Sequence, residues 1–206
     1  MKYIFCAAIL ALASLSSAQA EPRDFGNSVQ IATVDGIKLS RVQRETFRSY
    51  RSKRAYFGAY YVVPGIDHGF WTRNFHNFDT AKAAAKKGCE IVSNGGDCVL
   101  YALLYPKGID PNAKGVKGLG HQAAKFLRGR YKREQQKRKY GAFALNKAYG
   151  FGYSFGATSS KEARERAIAY CKVDSTKALA TLGIEARKWA KARGLDRCDI
   201  IDTHTP

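Results

Sequence analysis

The pattern Ala-x3-Ala-x3-Cys occurs twice, at Ala81, Ala85 and Cys89 and again at Ala163, Ala167 and Cys171. Residues four apart share one face of a helix, so each run predicts a helix carrying a stripe of small side chains that ends in a thiol. Such a stripe lets a helix lie close against a sheet of large residues. The match extends backwards, where YFGAYYVV at 56–63 aligns with KYGAFALN at 139–146. The offset is 82 positions at the cysteines and 83 at Gly58 and Gly141. Self-similarity at a fixed separation predicts a duplicated unit.

Each copy predicts the same order of elements. An alternating aromatic run (56–63; 140–146) reads as a half-buried strand. A glycine turn follows (Pro64-Gly65; Ala148-Tyr149-Gly150), then a second aromatic run (69–75; 150–155). Asp79 or Ser159 is the expected N-cap of the Ala/Cys helix, and a third strand closes the unit (99–105; 199–203). The expected fold class is therefore α+β: two β-β-α-β repeats, antiparallel sheets each covered by a helix and stapled by a disulfide.

The staples follow from cysteine usage. Residues 1–20 carry Lys2, an apolar run and a terminal AQA, the pattern of a secretory signal peptide. Cys6 lies inside that run, where it does not fit a lipoprotein anchor. The other four cysteines, Cys89, Cys98, Cys171 and Cys198, are an even set in an exported chain and allow three disulfide connectivities. Their spacings do not match zinc knuckles, and no metal or cofactor is expected. The duplication selects Cys89–Cys98 and Cys171–Cys198. In the second copy the loop between the paired cysteines is long, and Ala178, Leu182, Ala186, Trp189 and Ala190 predict an inserted helix packed by Trp189.

The resulting organisation is a signal peptide at 1–20, an N-terminal hairpin and basic segment at 21–54, repeat 1 at 55–106, a basic linker with a helix at 107–138, and repeat 2 at 139–206. The hairpin rests on the Asp35-Gly36 turn signal. The glycine run 115–120 precedes a helix but lacks the Lys-Ser/Thr step of a phosphate loop and is expected to be linker.

Tyr140-Gly141-Ala142, Gly152-Tyr153-Ser154-Phe155-Gly156, Ala163, Ala167, Cys171 and Cys198 together resemble a small secreted bacterial domain of unknown function, number forty-one eighty-nine. Phe57-Gly58-Ala59, Phe70-Trp71-Thr72, Ala81, Ala85, Cys89 and Cys98 are similar to it more weakly. The resemblance implies a bacterial exported protein and supplies no catalytic residues.

Charge narrows the partners. Lys and Arg number 35 against 17 Asp and Glu, a net charge of +18. Such a surface attracts polyanions. Residues 107–139 hold eleven bases and two acids. Arg128, Arg130, Lys132, Arg133, Lys137 and Arg138 are the expected anion-binding residues, with Phe47, Tyr50, Phe126, Tyr131 and Trp71 as candidates for stacking. The expected function is non-catalytic binding, in the periplasm or outside the cell, of an envelope polyanion or an acidic protein. Contact with a membrane surface is compatible with this; a transmembrane segment is not expected. An inhibitor or immunity-type partner protein is one alternative.

A secreted hydrolase is the other. GYSFG at 152–156 matches the nucleophile-elbow pattern around Ser154, and Asp199 and His204 follow in hydrolase order. His68 and His76, eight residues apart and expected on one face of a strand, are the candidates for acid–base cleavage of a phosphodiester.

Overall fold

A computed structural model describes residues 23–53, 55–135, 139–180 and 183–206, without the side chains of 174–180. The leader lies outside these residues. The chain is α+β with two antiparallel sheets. The first contains β1 (Val29–Thr33), β2 (Gly58–Val62), β3 (Gly69–Thr72) and β4 (Val99–Pro106) in the order β1-β4-β2-β3. The second contains β5 (Tyr140–Leu145), β6 (Phe151–Ala157) and β7 (Asp199–His204) in the order β6-β5-β7. Helix α1 (Arg41–Ser52) precedes β2, and α2 (Phe78–Val92) packs on β2 and β3. A helical segment between the sheets comprises α3 (His121–Phe126), a π-helical stretch (Leu127–Tyr131) and α4 (Lys132–Gln135). Helix α5 (Ser160–Ala180) packs on β5 and β6, and α6 (Gly183–Ala192) follows it. Among the described residues no helix is long and apolar enough to cross a membrane.

The alanine stripes do what their spacing requires. Ala81, Ala85 and Cys89 are fully buried on α2, as are Ala163, Ala167 and Cys171 on α5. A strand hydroxyl ties each helix to its sheet: Thr72 Oγ1 donates to the Ala81 carbonyl at 2.8 Å, and Ser154 Oγ donates to the Ala163 carbonyl at 2.6 Å. Glycine supplies the closest approach in both places, but on opposite partners. On α2, Gly88 makes room for the Phe70 ring of β3; on β6, Gly152 makes room for the α5 backbone at Ala167 and Cys171. The central strands each carry one irregularity against their third strand, between Tyr60 and Tyr61 and between Phe143 and Ala144. Disulfides join Cys89 to Cys98 and Cys171 to Cys198.

Several expectations are corrected. Asp35-Gly36 turns the chain but closes no hairpin: β1 pairs with β4, Val29 opposite Pro106, and the chain after the turn enters α1. That helix starts on a capping box between Ser40 and Gln43. Gln43 is buried, and its Nε2 donates to the carbonyls of Val63, Ile66 and His68 at 2.7–2.9 Å, fixing α1 to the β2–β3 turn. Asn77, not Asp79, caps α2, accepting from the Thr80 N–H at 2.9 Å. Asp79 lies in the first turn and accepts instead from Gly115 N–H. Ser159 does bond the α5 start, accepting from Glu162 N–H.

The long second loop also differs from its expected form. Helix α5 does not stop near Cys171 but runs on to Ala180, and α6 then holds Ala186, Trp189 and Ala190. Leu182 lies outside the described residues. Ala190 and Leu195 are buried in the core of the first sheet, beside Ala81, Ala85 and Ala148, with Trp189 packed against them. The glycine run is docked rather than loose, since Gly118 N–H donates to the His76 carbonyl and Leu119 N–H to the Arg23 carbonyl.

Candidate functional site

Each residue singled out for catalysis has a definite place. Ser154 sits mid-strand in β6, buried, and its hydroxyl is spent on the Ala163 carbonyl. A nucleophile elbow needs a strand-to-helix turn with the hydroxyl presented to substrate, and neither is present at Ser154. Asp199 and His204 stand at opposite ends of β7, across β5 from β6, so no triad assembles. The hydroxyl has the same structural role as that of Thr72.

The histidines do not form a pair either. His68 is exposed at the β2–β3 turn, before β3 begins, whereas His76 lies beyond its end and is buried. His76 Nδ1 accepts from Gly120 N–H at 2.8 Å, which fixes a neutral imidazole. Burial pushes its pKa down to about 4, opposed in part by the carbonyls of Gly150 and Tyr149. A ring held neutral and facing backbone is a docking post for the 115–120 segment, not a proton shuttle. No group of three metal-ligating side chains gathers among the described residues.

Most of the aromatic residues offered for stacking turn inward. Tyr50 and Tyr131 are fully buried, and Phe47 and Phe126 are half-buried against Tyr60 and Tyr153. Burial and the neighbouring Asp202 hold the Tyr131 hydroxyl far above its usual pKa. Among the bases, Arg128 is engaged by Asp24 and by Asn27 Oδ1. Arg130, Lys132 and Arg133 are exposed, with no carboxylate within 4 Å among the described residues. Lys137 and Arg138 lie outside the described residues.

Arg130 lines a surface that the linear pattern did not assemble. β6 is an edge strand, and its alternate residues Phe151, Tyr153 and Phe155 form a half-buried aromatic row. Tyr153 and Phe155 stack at 6.2 Å, and the Arg130 guanidinium lies 5.5 Å over the Phe155 ring. A groove of about 440 Å³ runs along this edge, bounded on its far side by Arg166 and Tyr170 of α5. Arg166 is paired with Glu162 at 2.5 Å, so among the described residues Arg130 is the groove's cation without a carboxylate. Tyr170 is 59 % exposed, unusual for a ring of that size. The arrangement offers a cation beside π-faces along a strand edge, the means of holding an extended anionic chain. Arg166, Tyr170 and Phe155 were missed as site residues because the first two come from α5 and the third from β6; the period-two row at 151, 153 and 155 was the available signal.

No protein-family model, curated protein or solved structure matches the chain.

Proposed function

We propose that this chain is an exported bacterial binding protein without catalytic activity, built from two copies of one disulfide-stapled β-β-α-β module, and that it engages an anionic macromolecule or acidic protein. The two halves support the duplication in their shared strand order, their strand irregularities 83 residues apart, their hydroxyl-to-helix bonds and their sulfur pairs. The observation that carries the binding reading is the groove at β6, where Arg130 lies over Phe155 with Lys132 and Arg133 exposed nearby. The hydrolase alternative loses its support because Ser154 and His76 are occupied in structural bonds.

The test is retention on immobilised heparin across a salt gradient. The wild-type chain is expected to bind and to weaken steeply with salt. Arg130→Glu with Arg133→Glu is expected to cost at least tenfold in affinity and to flatten the log–log salt slope by roughly 1.5–2. Unchanged retention by a folded double variant would reject the site.

A further inference from the structure

A second concavity shares no lining residue with the β6 groove. A cleft of about 620 Å³ opens where the second half of the chain meets the first. Phe70 and Trp71 of the β3 strand and Ala84 and Gly88 of α2 form one wall; Ala186 and Trp189 of α6 form another. Tyr149 of the β5–β6 turn packs at 5.4 Å on Phe75 at its base. Both tryptophans of the chain line this one space.

The polar groups here have a single sign. Lys53, Arg73 and Lys87 line the cleft, and among the described residues no carboxylate does. Lys87 reaches Glu90 at 3.8 Å, but Arg73 has no carboxylate within 4 Å among the described residues. Its guanidinium is half-buried, 5.2 Å over the Trp71 ring, and burial lowers its pKa. A cation withdrawn from water without a counter-ion is unfavourable until an anion reaches it. His121 Nδ1, on the same lining, is buried with no hydrogen-bond partner among the described residues. Small residues on two helices, aromatic faces and a few convergent polar groups in a space of this size are the makings of a small-molecule site.

We propose that this cleft binds a small organic carboxylate with an apolar body, the body lying against Trp71 and Trp189 and the carboxylate meeting Arg73. The site is separate from the β6 groove and selects by a different rule. The groove is open along a strand edge and suits a chain of charges, whereas the cleft is mostly apolar and takes one charge with a hydrocarbon attached.

Isothermal titration of the full chain tests this with three probes: 2-naphthoate, its neutral isostere 2-naphthamide, and decanoate. Saturable one-to-one binding of naphthoate or decanoate is expected, and which of them binds tells an aryl from an acyl body. The amide should bind at least tenfold more weakly than naphthoate where naphthoate binds. Arg73→Gln should weaken the carboxylate at least fivefold, and Ala84→Leu, which fills the space without touching a charge, should abolish binding. Both variants are checked for unchanged thermal unfolding; if one fails to fold, the other carries the test. Arg130→Glu with Arg133→Glu should leave carboxylate binding intact, which separates this site from the groove. Binding of neither carboxylate, equal binding of the amide, or binding insensitive to the folded cleft variants overturns the proposal.

Discussion

The β2–β3–α2–β4 region and the β5–β6–α5–β7 region solve one packing problem in opposite ways. Both press an alanine-lined helix onto an aromatic sheet, yet one places the large residue on the strand and glycine on the helix (Phe70, Gly88), while the other places glycine on the strand and brings the helix backbone to it (Gly152). The comparison teaches that the framework fixes the distance between helix and sheet, and that the bulk filling it can sit on either side. It also predicts unequal tolerance, because a ring can swing and a helix backbone cannot.

Removing a disulfide has the largest effect in either region. The residues joined are 27 apart in the second region and 9 apart in the first. Chain-entropy closure gives about 3.6 kcal/mol for the longer loop and about 2.6 kcal/mol for the shorter. Replacing Cys171 and Cys198 by alanine should therefore destabilise the protein by about 1 kcal/mol more than replacing Cys89 and Cys98, as read by urea unfolding. The opposite ranking would show that the long loop is held by packing rather than by its bond.

The glycines give the next effect. A methyl group at Gly152 meets the α5 backbone, so Gly152→Ala should cost about 3 kcal/mol. At Gly88 it meets the Phe70 ring, which borders the open cleft and can move aside, so Gly88→Ala should cost about 1 kcal/mol. Equal losses would show that Phe70 is locked in place.

A further effect, confined to acid pH, comes from His76, a buried histidine of the first region. Its folded pKa of about 4 lies below the ordinary 6.5. As pH falls through 6.5 the unfolded chain gains a proton that the folded chain refuses until about 4. Stability is therefore full above 6.5 and lost progressively between 6.5 and 4, by about 1.4 kcal/mol per pH unit. At pH 5 the wild-type chain should have lost about 2 kcal/mol from this source. His76→Asn keeps an acceptor for Gly120 N–H but does not titrate, so its urea midpoint should fall less over the same range. Identical pH profiles for the two chains would contradict the buried neutral imidazole.

What was legible in the sequence was local and periodic. The alanine stripes, the strand alternations and the sulfur pairs follow from spacings of two and four residues and from the 82-residue offset between the cysteines, and they stand within about three residues of their expected places. What was not legible depends on distant partners. Asp35-Gly36 carries a sound turn signal, but only the arrival of β4 decides that β1 pairs there and not with its neighbour. The basic segment looked like a stacking surface because Phe126 and Tyr131 alternate with Arg and Lys; one turn of π-helix and the sheet behind it take those rings inward. Ser154 resembled a nucleophile because a five-residue pattern does not show that its hydroxyl faces a helix carbonyl. The cleft was invisible for the same reason: its lining comes from six separate stretches of chain.

Helix α6 and the turn after it belong by connectivity to the loop closed by Cys171–Cys198 but are embedded in the core of the first sheet through Ala190 and Leu195. Two clamped sheets that merely touched could melt as separate beads. Here one lends the other part of its interior, so neither can open while its neighbour stays shut, and heat should find a single cooperative body. The point along the chain where one sheet ends and the other begins is no thermodynamic boundary.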